Sequence, residues 1–147
     1  MAGPAETLTQ AAIESEGERD LRFAARPDLA SAIEQWLNWL AHERRGSVHT
    51  VDGYTRDLKD LLRFLENYRG ETPTLAGFSA ADRNDFRAWM ADRIQRGLEP
   101  ASTARALSAI KNFARFIAKR GLGANGALST MRNPKLPRSV PKPLNAV

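Results

Sequence analysis

Arg105, Ser108, Asn112, Arg115 and Lys119 recur at i, i+3, i+7, i+10 and i+14, with Lys111 beside them and Ser102 and Thr103 just upstream. In a helix of about 3.6 residues per turn these positions share one face, and no acid interrupts it. Arginine can grip guanine edges or phosphates with two parallel hydrogen bonds, and serine, threonine and asparagine reach phosphates or bases. The major groove of duplex DNA admits one such helix. A merely solvated face usually interleaves both signs at helical spacing, as Asp82, Arg83, Asp85, Arg87, Asp92 and Arg93 do in this chain. A second, weaker set is Ser47, His49, Thr50, Arg56, Lys59 and Arg63, diluted by Asp57 and Asp60. The residues predicted to contact DNA are therefore Ser47, His49, Thr50, Arg56 and Lys59 in one stretch and Ser102, Thr103, Arg105, Ser108, Lys111, Asn112 and Arg115 in another. Lys135 and Arg138 in the basic tail complete the set. The competing reading is a helical adaptor whose basic face docks an acidic protein.

Other chemistry is poorly provided for. The chain has no cysteine, which removes thiolate metal sites, disulfides and a cysteine nucleophile. Its histidines, His42 and His49, come without a convergent carboxylate set. The glycine-rich run Gly121–Gly126 follows a predicted helix instead of joining strand to helix, so it is no phosphate loop. Trp36, Trp39 and Trp89 sit at helical spacings that read as core or core edge. No catalytic residue, metal, cofactor or small-molecule substrate is expected within these residues.

Charge is unevenly distributed. The net charge of +5 over 147 residues conceals a net of −4 in residues 1–95, from 12 Lys and Arg against 16 Asp and Glu. Residues 96–147 carry 10 Lys and Arg against a single acid, Glu99. A concentrated basic segment in an otherwise acidic chain points to a polyanionic partner. The N-terminus lacks a basic region followed by an apolar one, and no apolar run approaches the roughly 20 residues a membrane span needs. A cytoplasmic module without a membrane partner is the expectation.

Four helices must position these groups. Leu29, Ile33, Trp36, Leu37 and Leu40 form the apolar stripe of the first, which Pro27-Asp28 opens and Gly46 closes behind Arg44 and Arg45. Ser47 caps the second, whose buried face is Val51, Tyr54, Leu58, Leu61, Leu62 and Leu65, and Gly70 ends it. After a loop with Pro73 and Gly77, Ser79-Ala-Ala-Asp82 reads as the start of the third, with Phe86, Trp89, Met90 and Ile94 inward. Glu99-Pro100 opens the fourth, whose stripe is Leu107, Ile110, Ala114 and Ile117 flanked by Phe113 and Phe116. A last helical turn is expected within Ala127–Arg132. No segment alternates with period two, so the fold class is all-α.

The flanks differ in kind. Residues 1–26 are small, polar and acidic and predict a disordered leader. From Asn133 to Leu144 four prolines fall in twelve positions without an acid, which favours an extended spacer. The expected organisation is a leader at 1–26, a helical domain at 27–130 and a linker at 131–147, leading to a further domain in a longer protein.

Three stretches together resemble a known family. Ser47-x-x-Thr50-x-x-x-Tyr54-x-x-Asp57-Leu58, followed by Phe64, is similar to the first signature of the core-binding domain of tyrosine recombinases. Asp85-Phe86-Arg87-Ala88-Trp89, Gly97-Leu98 and Ser102-Thr103-Ala104-Arg105-x-Leu107-Ser108-Ala109-Ile110-x-x-Phe113 resemble the second, and Asn133-Pro134-Lys135-Leu136-Pro137 resembles the linker. The details most resemble the bacterial branch that resolves chromosome dimers. The resemblance implies a four-helix, SAM-like bundle forming half of a clamp on duplex DNA, with the second and fourth helices toward the major groove. It further implies a DNA-cutting and rejoining activity through a phosphotyrosyl intermediate, carried by a domain after the linker. The implied partners are a second copy and a paralogous recombinase in a tetramer. Tyr54 and Tyr68 both precede the linker and match no nucleophile motif; Tyr54 falls on an apolar helix face and is expected to pack.

Overall fold

The computed structural model describes residues 23–43 and 46–133, and the described chain divides into two compact units between Thr74 and Leu75. Six helices and no strand occur among the described residues, so the all-α expectation holds. Residues 1–22 of the predicted leader, Arg44 and Arg45, and the tail from Pro134 lie outside the described residues.

The first unit is a helical pair. α1 spans Pro27–His42, with proline in its first turn and the Asp28 carboxylate accepting from the Leu29 amide at 2.6 Å. Leu29, Ala32, Ile33, Trp36 and Leu40 are buried along one stripe. The helix stops at His42, earlier than the expected glycine, and the Gly46 amide reaches back to the Leu40 carbonyl at 2.8 Å. α2 spans Val48–Arg69, and the Ser47 hydroxyl caps it by accepting from the Thr50 amide at 3.0 Å. Leu58, Leu61, Leu62 and Leu65 are buried and α1 packs on α2. Each such side chain contributes roughly 1.5–3 kcal/mol by leaving water. Tyr54 stacks on Trp36 at 6.0 Å with 9° between the rings, which is the packing role expected of it. Gly70 ends α2 at φ +78°, a conformation that residues with a Cβ rarely adopt.

The second unit is built on α5, Pro100–Lys119, with α4, Arg83–Gln95, and the short α6, Gly126–Thr130, packed on it. α3, Leu75–Ala80, occupies what the sequence reads as a loop. Six residues are too few to hold a helix by backbone bonds alone; α3 exists because its surroundings grip it. Phe78 is buried and meets Phe113 edge-on at 5.1 Å. The Asn125 amide donates to the carbonyls of Phe78 at 2.8 Å, Ser79 at 3.3 Å and Ala81 at 2.9 Å, satisfying the groups that end the helix. Gly123 passes so close that a Cβ there would lie 2.7 Å from the Ser79 hydroxyl.

The start of α4 corrects the sequence reading. Its cap is Asp82, not Ser79: Asp82 accepts from the Asp85 amide at 2.9 Å, and Asp85 accepts from the Asp82 amide at 2.8 Å. This reciprocal box lies three residues beyond the predicted one. The inward-facing set also differs from the predicted one, with Met90 only half-buried. Phe86 and Trp89 are buried as expected, but Ile94 is 57% exposed and Arg93 is interior. On α5, by contrast, Leu107, Ile110, Ala114, Ile117, Phe113 and Phe116 are all buried as predicted. Among the described residues no helix is long and apolar enough to cross a membrane.

Candidate nucleic-acid interface

The polar face of α5 is formed because its apolar residues claim the opposite side. Arg105, Arg115 and Lys119 are exposed, and Ser108 and Asn112 are half-buried at its margin. No acidic side chain lies on α5, and the nearest in sequence, Glu99, precedes its first turn. Several side chains assigned to this face from the sequence have other occupations. Thr103 is buried, and its hydroxyl accepts from Arg93 Nε at 3.2 Å. It therefore presents nothing to a groove, a correction that follows from Arg93 turning inward. The Ser102 hydroxyl accepts from the same guanidinium at 2.8 Å, although Ser102 remains half-exposed. Lys111 donates from Nζ to the Met131 carbonyl. Its ammonium is held below the usual lysine range, first by burial and then by the neighbouring Arg115 charge.

At Asn133, two residues past Met131, the chain is still held on α5. The Asn133 side-chain amide donates to the Ala104 carbonyl at 3.2 Å and to the Ser108 hydroxyl at 2.5 Å. The exiting backbone thus lies over the flank carrying Ala104, Ser108 and Lys111. Arg105, Asn112 and Lys119 occupy the adjacent sector at about 100° per residue.

In the first unit the weaker set stays at the surface. Ser47, His49, Thr50 and Arg56 are exposed. The Ser47 and Thr50 hydroxyls are 2.9 Å apart in a mutual hydrogen bond that reinforces the helix start. Lys59 is half-buried, with Nζ 6.0 Å from the centre of the Phe23 ring. Asp57, read as diluting this face, is buried and does not present its charge there. Lys135 and Arg138 lie outside the described residues.

Several residues escaped sequence reasoning. Arg93 looks like one member of an alternating surface series, yet it is buried, bonded to α5 and 5.6 Å from the Trp89 ring. Of that series Asp92 pairs with Arg96, at 2.9 Å, while Asp85 caps the helix. A second cationic feature joins α4 to the exit: Arg83, Arg87 and Arg132 line a concavity of about 460 Å³ with Met90, Thr130 and Met131. Asn125 and Asn133 carried only the faint signal of an asparagine beside glycine or proline. Among the described residues no group of three His, Cys, Asp or Glu could hold a metal.

Residues 33–121 match the N-terminal SAM-like domain of phage integrases. The chain belongs to that family. Among its relatives, tyrosine recombinase XerC of Rhodospirillum centenum is 40% identical over 130 residues, covering 88% of this chain and 38% of the relative. XerC of Bradyrhizobium diazoefficiens is 43% identical over 121 residues, 82% of this chain and 38% of the relative. XerC of Mesorhizobium japonicum is 38% identical over 128 residues, 87% and 41% respectively. The resemblance read from the motifs is thereby shown over most of the chain, which spans about two fifths of the length of these curated relatives. No solved structure matches it.

Proposed function

We propose that this chain is the DNA-binding N-terminal part of a XerC-like site-specific tyrosine recombinase. The observation that carries the reading is that Arg105, Arg115 and Lys119 are exposed on the acid-free polar face of α5. In this reading α5 supplies contacts to base edges and phosphates, and Ser47, His49, Thr50 and Arg56 at the start of α2 supply mostly phosphate contacts that set register. Lys135 and Arg138 extend the basic track along the tail. The domain organisation is a helical module at 27–130 followed by a linker.

The intact protein would cut and rejoin DNA through a phosphotyrosyl intermediate, resolving chromosome dimers together with a paralogous recombinase. The module's share is positioning. Neither tyrosine here is offered as the nucleophile: Tyr54 is stacked on Trp36, and Tyr68 on Phe64 at 5.0 Å.

Titration of the chain with duplex DNA at several salt concentrations tests the reading. Roughly 4–6 phosphate contacts give a slope of log K against log salt near −4 to −5. A slope near zero, or equal affinity for an unrelated acidic protein, would favour the helical adaptor instead. On a nicked suicide duplex the chain should form no covalent adduct, and one mapping to Tyr54 or Tyr68 would overturn the assignment of roles.

A further inference from the structure

Two groups on the polar face of α5 hold the chain's own exit segment. Lys111 Nζ donates to the Met131 carbonyl, and the Asn133 amide bridges the Ala104 carbonyl and the Ser108 hydroxyl. Just upstream, Arg83 Nη2 donates to the Thr130 hydroxyl at 3.0 Å, tying the end of α6 to α4. Four side-chain bonds, counting both made by Asn133, thus fasten the stretch 130–133 to two different helices. Met131 is buried and extended, at φ −76° and ψ 135°. Asn133 precedes a proline, whose ring steers the preceding residue to extended backbone.

We propose that residues 130–133 form a strap in which Asn133 and Lys111 are positioning residues, fixing the point and direction at which the proline-rich segment leaves α5. The sequence beyond the strap carries Pro134, Pro137, Pro141 and Pro143, the composition expected of a stiff spacer, and a stiff spacer transmits direction only if its root is fixed. A root fastened to a flexible glycine-serine tether would transmit nothing. The strap also explains why two candidate phosphate ligands on α5 are engaged by their own chain, Ser108 by the Asn133 side-chain amide and Lys111 by the Met131 carbonyl. It stands on these contacts alone and does not depend on DNA recognition.

Limited trypsin digestion of the full chain tests the fastening, because the Arg132–Asn133 bond lies within the strap and the Arg138–Ser139 bond outside it. The readout is the ratio of the two cleavage rates by mass spectrometry. Ser108→Ala and Lys111→Met, which leave the cleaved bond unchanged, should each raise the ratio about fivefold or more. Ser108→Thr and Lys111→Arg, which keep the hydroxyl and the donor, should leave it near that of the unaltered chain. An unchanged ratio in both disrupting variants overturns the strap. So does a parallel rise in cleavage after Arg105 and Arg115 inside α5, which would mean that the two residues hold the helix together instead. Direction has its own readout, since the chain contains no cysteine to compete with an introduced one. A nitroxide on Leu136→Cys should broaden amides on the Ala104–Ser108 flank of α5, and adding Ser108→Ala should weaken that broadening at least twofold. Broadening that is the same with and without the Ser108 hydroxyl overturns the positioning role.

Discussion

α2 and α5 present two polar helix faces that look alike in kind in the sequence and differ in use. The α5 face is the richer by composition, yet Thr103, Ser108 and Lys111 on it are bonded to Arg93, Asn133 and Met131. The α2 face is the poorer, yet Ser47, His49, Thr50 and Arg56 all remain exposed, and the buried Asp57 removes one of its two diluting acids. Helical periodicity identifies which side of a helix is polar. It does not say which of those polar groups the chain itself will occupy, because the occupants arrive from 10 to 25 residues away in sequence.

The sharpest way to break the comparison is to remove what holds α5 in place. Leu107 is fully buried beneath the polar face, so Leu107→Ala should cost about 2–5 kcal/mol through the cavity it leaves. Urea unfolding checks this, and the fraction that stays folded should keep its affinity for DNA. Arg93→Ala should cost about 1.5–3 kcal/mol, since it deletes charged hydrogen bonds to Ser102 and Thr103 and leaves the buried Thr103 hydroxyl without that donor. An arginine belonging to a solvated, alternating series would instead change stability by less than about 0.5 kcal/mol. The same unfolding experiment therefore decides between the sequence reading of Arg93 and the structural one.

Binding separates the two faces more finely. Arg105→Ala should weaken duplex binding by about 1–3 kcal/mol if its guanidinium reaches a base edge or a desolvated phosphate. Arg56→Ala on α2 should cost less, evenly across DNA sequences, and make the salt slope shallower by about one unit. Both positions are exposed, so both variants should melt close to the unaltered chain. Should Arg105→Ala unfold the protein while its folded fraction binds normally, the residue would belong with Arg93 among the structural ones.

The legible parts of the fold are those that local physics decides. The Leu107, Ile110, Phe113, Ala114, Phe116 and Ile117 side of α5 is readable because a long amphipathic helix declares its period. Ser47 is readable as a cap because its hydroxyl serves an amide three residues away. α3 is not, because it depends on Phe113 and Asn125, which lie 35 and 47 residues beyond Phe78. The start of α4 is misplaced by three residues because two acid-containing boxes overlap there and only Asp82 with Asp85 closes reciprocally. In the candidate interface the exposed arginines are legible from charge alone. The strap is not, since an asparagine before a proline says only that the chain is extended there, not what its amide will grip.

The smallest expected effect concerns Lys111, where the sequence suggests a phosphate ligand and the structure gives a partly buried ammonium held at the Met131 carbonyl. Two influences disfavour its charge, burial first and the Arg115 guanidinium second, and together they lower its pKa from the usual 10.5. The carbonyl bond favours the charge but does not reverse that direction. With the folded pKa below the unfolded one, the unfolded chain binds more protons between the two values. This group's contribution to stability is therefore complete above about 10.5, the unfolded value, and is lost as pH falls through the folded pKa. Tyrosines and other lysines titrate in the same alkaline range, so the measurement is a difference: unfolding free energy against pH for the unaltered chain and for Lys111→Met. The unaltered chain should gain stability relative to the variant as pH rises through that window. A relative loss over the same range would mean that the Met131 carbonyl outweighs burial and raises the pKa, making Lys111 a stronger tether for the exit segment than its surroundings imply.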